Sequence, residues 1–330
     1  MKQISIIVPS GPVILSSITG PYEIFKKVND YLLETGKSDD KFFRIELVGL
    51  EKDVEIYDGA FSIKTTTTIH ELRKSDVIII PAIDGDIENS LEINKDFIPW
   101  IQKQRISNGS EIASLCLGAF LLGETGLLNG KSCSTHWAAA DLFRQKFPKI
   151  NLMAEKVITE DNGIYTSGGA YSFLNLILLL VEKYCGRETA IWCSKIFEID
   201  FDRTNQNHFV IFNTQKMHDD DTIIRSQHFI EKNYSDKISV DELAKMCACS
   251  RRNFVRKFKK ATSNTPLEYI QRVKIEAAKK SFETSTSNIN NVMCSVGYID
   301  SRAFRTIFRK FTGLSPSEYR SKYNREMAAV

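Results

Sequence analysis

Two stretches in the last third of the chain, NFVRKFKKATSNTPLEYI and AFRTIFRKFTGLSPSEYR, correspond residue for residue at a constant offset of fifty. Phe254 falls on Phe304, Phe258 on Phe308, Lys260 on Lys310, Thr262 on Thr312, Pro266 on Pro316, Glu268 on Glu318 and Tyr269 on Tyr319, with no gap. Two copies are too few for a solenoid, so the constraint is a pair of similar small helical units. Each copy opens with a short amphipathic segment. In the first it is SVDELAKMC, with Ser239 or Asp241 as the cap and Leu243 and Ala244 inward; in the second it is NINNVMCSV, with Val292, Met293 and Val296 inward. A turn follows, through ACS or GYIDS, and then a basic helix. There Phe304, Ile307, Phe308 and Phe311 make one apolar stripe, and Arg302, Arg305, Thr306 and Arg309 lie across from it. In the first copy Phe254, Phe258 and Ala261 pack, while Arg252, Arg256, Lys259 and Lys260 do not.

Helix, tight turn and basic helix is the helix-turn-helix pattern. A basic exposed face alone is ordinary for a surface helix. The same turn and the same aromatic spacing occurring twice favour double-stranded DNA as the partner, because arginine forks read guanine edges and helix N-termini hold phosphates. Charge agrees. The net charge of +3 hides an asymmetry: residues 231–330 carry 20 Lys and Arg against 10 Asp and Glu, which leaves 24 basic and 31 acidic residues in 1–230. Only the C-terminal part is suited to a polyanion.

Residues 1–200 alternate short apolar runs with helical periodicity. QISIIVP, FRIELVGL, SDVIIIPA and SEIASLC read as strands, the last two almost continuously apolar, as buried parallel strands are. Helices are expected over 20–35, 87–104, 119–126, 137–147 and, after GIYTSGG, 170–184. The expected fold class is α/β, a doubly wound sheet, followed by an all-α double helix-turn-helix domain. The boundaries are 1–200 for the first domain, 201–220 for a linker and 221–330 for the helical domain. Asp219, Asp220 and Asp221 suit a helix cap better than a metal site.

Within the first domain EIASLCLGAFLLGETGLLNGKSCSTHW places Cys116 at the end of a strand, small residues Gly118 and Ala119 at once after it, and His136 twenty residues on. That is the layout of a nucleophile on a tight strand-to-helix turn. A working thiol needs its thiolate favoured and a base nearby, so Cys116 and His136 are the catalytic candidates. Glycines at 168 and 169 serve either anion binding or tight strand-helix packing. Several classes fall away. No apolar run approaches the ~20 residues of a bilayer span; the densest, LNLILLLV, suits a buried helix. Pro9, Gly11 and Pro12 interrupt the N-terminal run too early for a signal peptide, and seven scattered cysteines fit reduced thiols, so a cytoplasmic protein is expected. There is no zinc signature, no P-loop and no G-x-G-x-x-G, hence no expected metal or cofactor.

The residues carry two resemblances. From about 223 to 323 the chain resembles the AraC/XylS-type DNA-binding domain: ELAKMCACSRRNFVRKFKKATSNTPLEYIQRVKIEAAKKSF is similar to its first half and GYIDSRAFRTIFRKFTGLSPSEYR to its signature half. The resemblance implies seven helices, with two recognition helices joined by a long one at about 266–282, roughly 25 Å in length. It implies base contacts from Arg252, Val255, Arg256, Ser301, Arg302, Arg305 and Thr306, and phosphate contacts from Lys257, Lys260, Arg309 and Lys310. Val255 offers only an apolar contact, as with a thymine methyl.

Residues 1–200 resemble the ThiJ/PfpI, class I glutamine-amidotransferase-like domain, in the variant fused to AraC-type domains in GlxA-like regulators. TGPYEIF, SLCLGAFLLGETGLLNGKSCSTHW and YTSGGAYSFLNLILLLVEKYCG carry the likeness. It implies a flavodoxin-like sheet, Cys116 at the superfamily's elbow, dimerisation through this domain, and a ligand pocket at Cys116, Leu117, His136 and Ser17. The chain departs from the enzymes: Leu117 stands where they often have histidine, and Ser17 and Asn175 stand where acids are typical. The expected function is a homodimeric, effector-responsive transcription regulator that is not an enzyme. The alternatives are a DNA-tethered cysteine hydrolase or amidotransferase-like enzyme, and a redox sensor acting through Cys116.

Overall fold

The computed structural model describes residues 1–201, 203–216 and 218–324. Residues 202 and 217 of the expected linker and 325–330 of the expected helical domain lie outside the described residues. The chain divides into two compact units, Met1–Gln206 and Asn207–Val330.

In chain order the first unit runs β1 (Lys2–Val8), α1 (Ser16–Glu34), β2 (Phe43–Gly49), β3 (Asp53–Ile56), β4 (Phe61–Lys64), β5 (Thr67–Thr68), β6 (Val77–Ile80), α2 (Ile87–Ile93), α3 (Phe97–Asn108) and β7 (Glu111–Ser114). It continues with α4 (Gly118–Glu124), β8 (Ser132–Cys133), α5 (Ala140–Lys146), β9 (Asn151–Leu152), β10 (Ile158–Asp161), β11 (Ile164–Ser167) and α6 (Phe173–Ile196). The main sheet has the order β10-β11-β7-β6-β1-β2-β5, parallel except for β10, which pairs antiparallel with β11. It is the flavodoxin-like α/β sheet the sequence leads one to expect. Alternation along the strands explains why their sequences lack polar positions. Ile4, Ile6, Val8, Val77 and Ile79 enter one core with α1 and α6, while Ile7, Ile78 and Ile80 enter another with α3, α4 and α5. Both faces are covered, so both parities are apolar.

The helix expected over 87–104 is two helices. Asn94 breaks it: the side chain is buried, its Nδ2 donates to Ser10 O and Ser90 O at 2.9 Å, and its Oδ1 accepts from Ser10 N at 2.8 Å. The side chain thereby serves the loop after β1 instead of a continuous helix. α6 runs past the expected residue 184 to Ile196, kinked at Gly186 (φ 84°, ψ 161°), where only glycine sits without strain. Among the described residues no helix is long and apolar enough to cross a membrane, and no cluster of His, Cys, Asp and Glu is placed to hold a metal.

The second unit contains α7 (Asp221–Lys232), α8 (Val240–Met246), α9 (Arg251–Thr262), α10 (Pro266–Thr284), α11 (Ile289–Ser295), α12 (Ser301–Thr312) and α13 (Pro316–Tyr323). Asp220 caps α7 by accepting from Thr222 N and Ile223 N, and Ser239 caps α8 in a capping box with Glu242. The fifty-residue correspondence is a correspondence of packing. Phe258 meets Tyr269 edge to face at 5.3 Å, and Phe308 meets Tyr319 likewise at 5.5 Å. Thr262 and Thr312 each donate to the carbonyl four residues back at 2.8 Å. Each copy has its own buried cluster, Phe254 and Phe258 in one, Phe304 and Phe308 in the other.

The segment read as linker is not a loose tether. Gln206 closes the first unit, its backbone N–H donating to Glu155 O at 2.9 Å. From Asn207 onward the chain is strapped to the helical unit: Val210 O accepts from Lys279 Nζ at 2.5 Å, Phe212 N donates to Glu276 Oε2 at 3.2 Å, and Lys216 pairs with Glu231 at 2.6 Å.

Candidate functional sites: the cysteine elbow and the recognition helices

Cys116 lies just past the C-terminal end of β7, with a left-handed φ of 53°. Such a backbone is strained for a residue with a side chain and is the mark of the elbow. Gly118 makes it possible. A Cβ there would stand 2.5 Å from Pro81 O and 2.7 Å from Ile80 O, so the start of α4 can approach β6 only without one. Thr135 Oγ1 donates to Cys116 O at 2.9 Å, and Cys116 N points to Ser167 Oγ at 3.4 Å.

The chemistry does not follow the backbone. Cys116 is 5% exposed, and burial pushes its thiol up to about 11. The N–H groups of Ala170 and Leu117 oppose the rise, and the Asp84 carboxylate adds to it. His136 is no base for it. Its Nδ1 accepts from Ala138 N at 3.0 Å, which puts the ring proton on Nε2 and uses the one free lone pair. Burial holds the imidazole below its ordinary value, hence neutral. Among the described residues no hydrogen bond joins Cys116 to His136. The ring instead packs on Gly169, where a Cβ would come within 2.2 Å of it. Gly168 is pressed in the same way against Gln206, and Gly169 N donates to Gln206 Oε1 at 3.0 Å. Packing therefore accounts for the two glycines, and the Gly169 N–H is not open to an anion.

Ser17 is fully buried, with its hydroxyl donating to Ile14 O at 2.6 Å and accepting from Ala82 N at 3.0 Å. It ties the start of α1 to the loop after β6, so both hydrogen-bonding roles are spent. Leu117 is half-buried at the N-cap of α4. Asn175 lies on α6, its Nδ2 donating to Asp200 O at 2.5 Å.

On the recognition helices the disposition is opposite. Arg252, Arg256, Lys257 and Lys260 on α9, and Arg302, Arg305, Thr306, Arg309 and Lys310 on α12, are exposed; Val255 and Ser301 are half-buried. Ser250 and Asp300 cap the two helices by accepting from Asn253 N and Ala303 N. Among the described residues Arg252, Arg256, Lys259, Lys260, Arg302, Arg305, Arg309 and Lys310 enter no ion pair. Lys257 is different: its Nζ lies 3.6 Å from Asp220, the cap of α7. Thr306 Oγ1 donates back to Arg302 O at 2.8 Å, which leaves its methyl and lone pairs outward.

Two features escaped sequence reasoning. Ile299, in the turn before α12, is 97% exposed, and its signal was an apolar residue inside an otherwise polar turn. Lys274 on α10 is 7% exposed, and its Nζ donates to Asp236 O at 3.3 Å and Gly297 O at 3.2 Å. It joins the loop after α7 to the turn of the second helix-turn-helix. Gly297 (φ 75°) is required there, because a Cβ would stand 2.1 Å from Ser235 O. No sequence pattern distinguishes that lysine from its solvated neighbours.

Comparison with known proteins agrees with this geometry. The family model described as DJ-1/PfpI family matches residues 16–183, and that described as helix-turn-helix domain matches 243–322. The HTH-type transcriptional regulator GbdR of Pseudomonas aeruginosa is 25% identical over 252 residues, spanning 73% of this chain and 66% of GbdR, a little less than two thirds of its length. CdhR of the same organism, also an HTH-type transcriptional regulator, is 21% identical over 280 residues, 84% of this chain and 82% of the relative. Isonitrile hydratase of Pseudomonas putida is 26% identical over 174 residues, 52% of this chain and 68% of the enzyme. A solved candidate transcriptional regulator from Vibrio parahaemolyticus shares the fold, with a TM-score of 0.53 at 24% identity over 59% of this chain and 98% of that one. The chain carries a helix-turn-helix domain beside its first domain, and it belongs to the DJ-1/PfpI family.

Proposed function

We propose that this protein is a sequence-specific DNA-binding transcription regulator in which the DJ-1/PfpI domain senses a small molecule and pairs two chains. The observation that carries this is the contrast in spare polar groups. Two capped helices, alike in length and packing, leave eight exposed cations without ion pairs among the described residues, whereas at the elbow His136 Nδ1 and the Ser17 hydroxyl are already engaged and the thiol is buried. Two chains would bring four helix-turn-helix units to two half-sites, multiplying affinity. A role on DNA fits the cytoplasmic location expected from the sequence.

The test is selection of bound fragments from genomic DNA with purified protein at two salt concentrations. The expected result is a sharp motif with two half-sites about one helical turn apart, ~34–36 Å. Binding without a motif, weakening uniformly as salt rises, would remove the regulator reading. The enzymatic alternative has one observation in its favour, the likeness to isonitrile hydratase. It requires a reactive Cys116 thiolate near neutral pH, which burial of the thiol opposes.

A further inference from the structure

Away from the elbow, the first unit holds a cavity of about 380 Å³, within the range of small-molecule sites. It runs along α6, where Asn175, Leu178, Leu179 and Glu182 recur at helical spacing and so line one side. From Asn175 to Glu182 that side is about 10 Å long. At one end Asn175 is 8% exposed: its Nδ2 is held by Asp200 O, and its Oδ1 accepts no hydrogen bond among the described residues. An amide oxygen without a protein donor, on a residue that lines the cavity, is free to accept from an occupant. At the other end, beyond the Gly186 kink, the Arg187 guanidinium stacks over Phe201 at 4.3 Å and pairs with Glu182 at 2.8 Å. Cations outnumber that one carboxylate three to one among the lining residues. The stretch between the ends is apolar, with Leu178 beneath and Phe201 beside it.

We propose that this cavity binds an extended organic anion with a hydroxyl or amide donor at one end, a carboxylate at the other and an apolar chain between. The donor goes to Asn175 Oδ1, the carboxylate to Arg187, and the chain lies on Leu178 and Phe201. The site gives the proposed sensing role an address, and only its consequence for DNA rests on that role. The wall opposite α6 includes Phe201 and Thr204; Thr204 O accepts from Val157 N at 3.2 Å, and three residues later the second unit begins at Asn207. An occupant therefore fixes the last segment before the DNA-binding unit.

The experiment is calorimetric titration of the full chain with omega-hydroxyoctanoate, whose two polar ends match the spacing. Octanoate, which lacks the donor, and octanediol, which lacks the anion, are the controls. Saturable binding of the hydroxy acid is expected, with each control at least about tenfold weaker. Asn175→Leu should erase the preference over octanoate, and Arg187→Gln the preference over octanediol, while Cys116→Ser leaves all three affinities in place. Arg187 is exposed, so its variant carries the test even where Asn175→Leu does not fold. No saturable binding, equal binding of the three compounds, or loss of binding in Cys116→Ser overturns the site. A DNA motif without heat from the hydroxy acid overturns the cavity and keeps the regulator. Heat without a motif does the reverse.

Discussion

The elbow and the recognition helices each present a short helix by its N-terminal end, yet they treat polar groups in opposite ways. Around Cys116 the groups the sequence singled out are turned inward, and two of them are already engaged. The His136 lone pair is taken by Ala138 N, the Ser17 hydroxyl by Ile14 O and Ala82 N, and the thiol is buried. On α9 and α12 the aromatic residues are turned inward and the cations are left in water. A satisfied internal hydrogen bond holds a fold together, whereas a solvated cation remains available to a polyanion. The left-handed φ of Cys116 and the close approach at Gly118 form the elbow backbone, while the thiol at its tip is buried and no hydrogen bond among the described residues links it to His136.

The largest way to break the contrast is through its inward half. Phe308→Ala should cost about 3–5 kcal/mol, measured by denaturant unfolding, because the ring is fully buried. A loss under ~1 kcal/mol would mean the aromatic stripe is not core. Next comes the outward half. Arg305→Ala should cost roughly 1–3 kcal/mol on the selected site and relax its sequence preference. An equal loss on all DNA would make Arg305 a phosphate contact. Smaller still, Lys260→Ala should lower the salt slope of binding by about 1. Lys257→Ala should lower it less, since Asp220 already offsets that charge; equal slopes would show that the pairing does not persist on DNA.

The smallest effect is expected at the elbow. Cys116→Ser should leave DNA affinity unchanged, and alkylation of the native thiol should be slow at neutral pH. Rapid selective alkylation there would restore the enzyme reading. Because burial raises the folded thiol's value, its protonated form is favoured by folding. The contribution is complete below the ordinary value of 9.0 and is lost as pH rises from there to about 11, where the unfolded chain ionises first. A stability profile that falls with pH over that window in native protein, and less steeply in Cys116→Ser, is the expected sign.

Much of this was legible from residue patterns, for physical reasons. The duplicated unit showed itself because Phe258, Thr262 and Tyr269 must repeat with their counterparts to repeat a packing. The partners of the two tyrosine hydroxyls, Glu231 and Glu283, do not share the fifty-residue offset and come from different elements, so no alignment reveals them. The central strands were legible from their length and apolarity. The small hairpin of β3 and β4 was not, being four residues a side with mixed polarity. At the elbow the sequence located Cys116 and His136 and the missing acids. It could not give the rotation of the His136 ring toward Ala138, which decides whether the histidine is a base. The cavity beside α6 was visible only as an odd residue, Asn175, because its opposite wall comes from an irregular segment without periodicity.

Lys274 has a consequence for the DNA itself. By gripping Asp236 O and Gly297 O from α10, it ties the loop that leads into the first helix-turn-helix and the turn of the second to one bar. That bar is 19 residues long, about 28 Å, a little less than one turn of the double helix. A bar of fixed length measures phase as well as distance. Inserting about half a turn of base pairs between the two subsites carries one to the far side of the duplex. Inserting a whole turn restores the side but puts the subsite out of reach. A single chain is thus a gauge with one setting, and on the proposed pairing of two chains only the joint between them would accommodate operators of differing spacing.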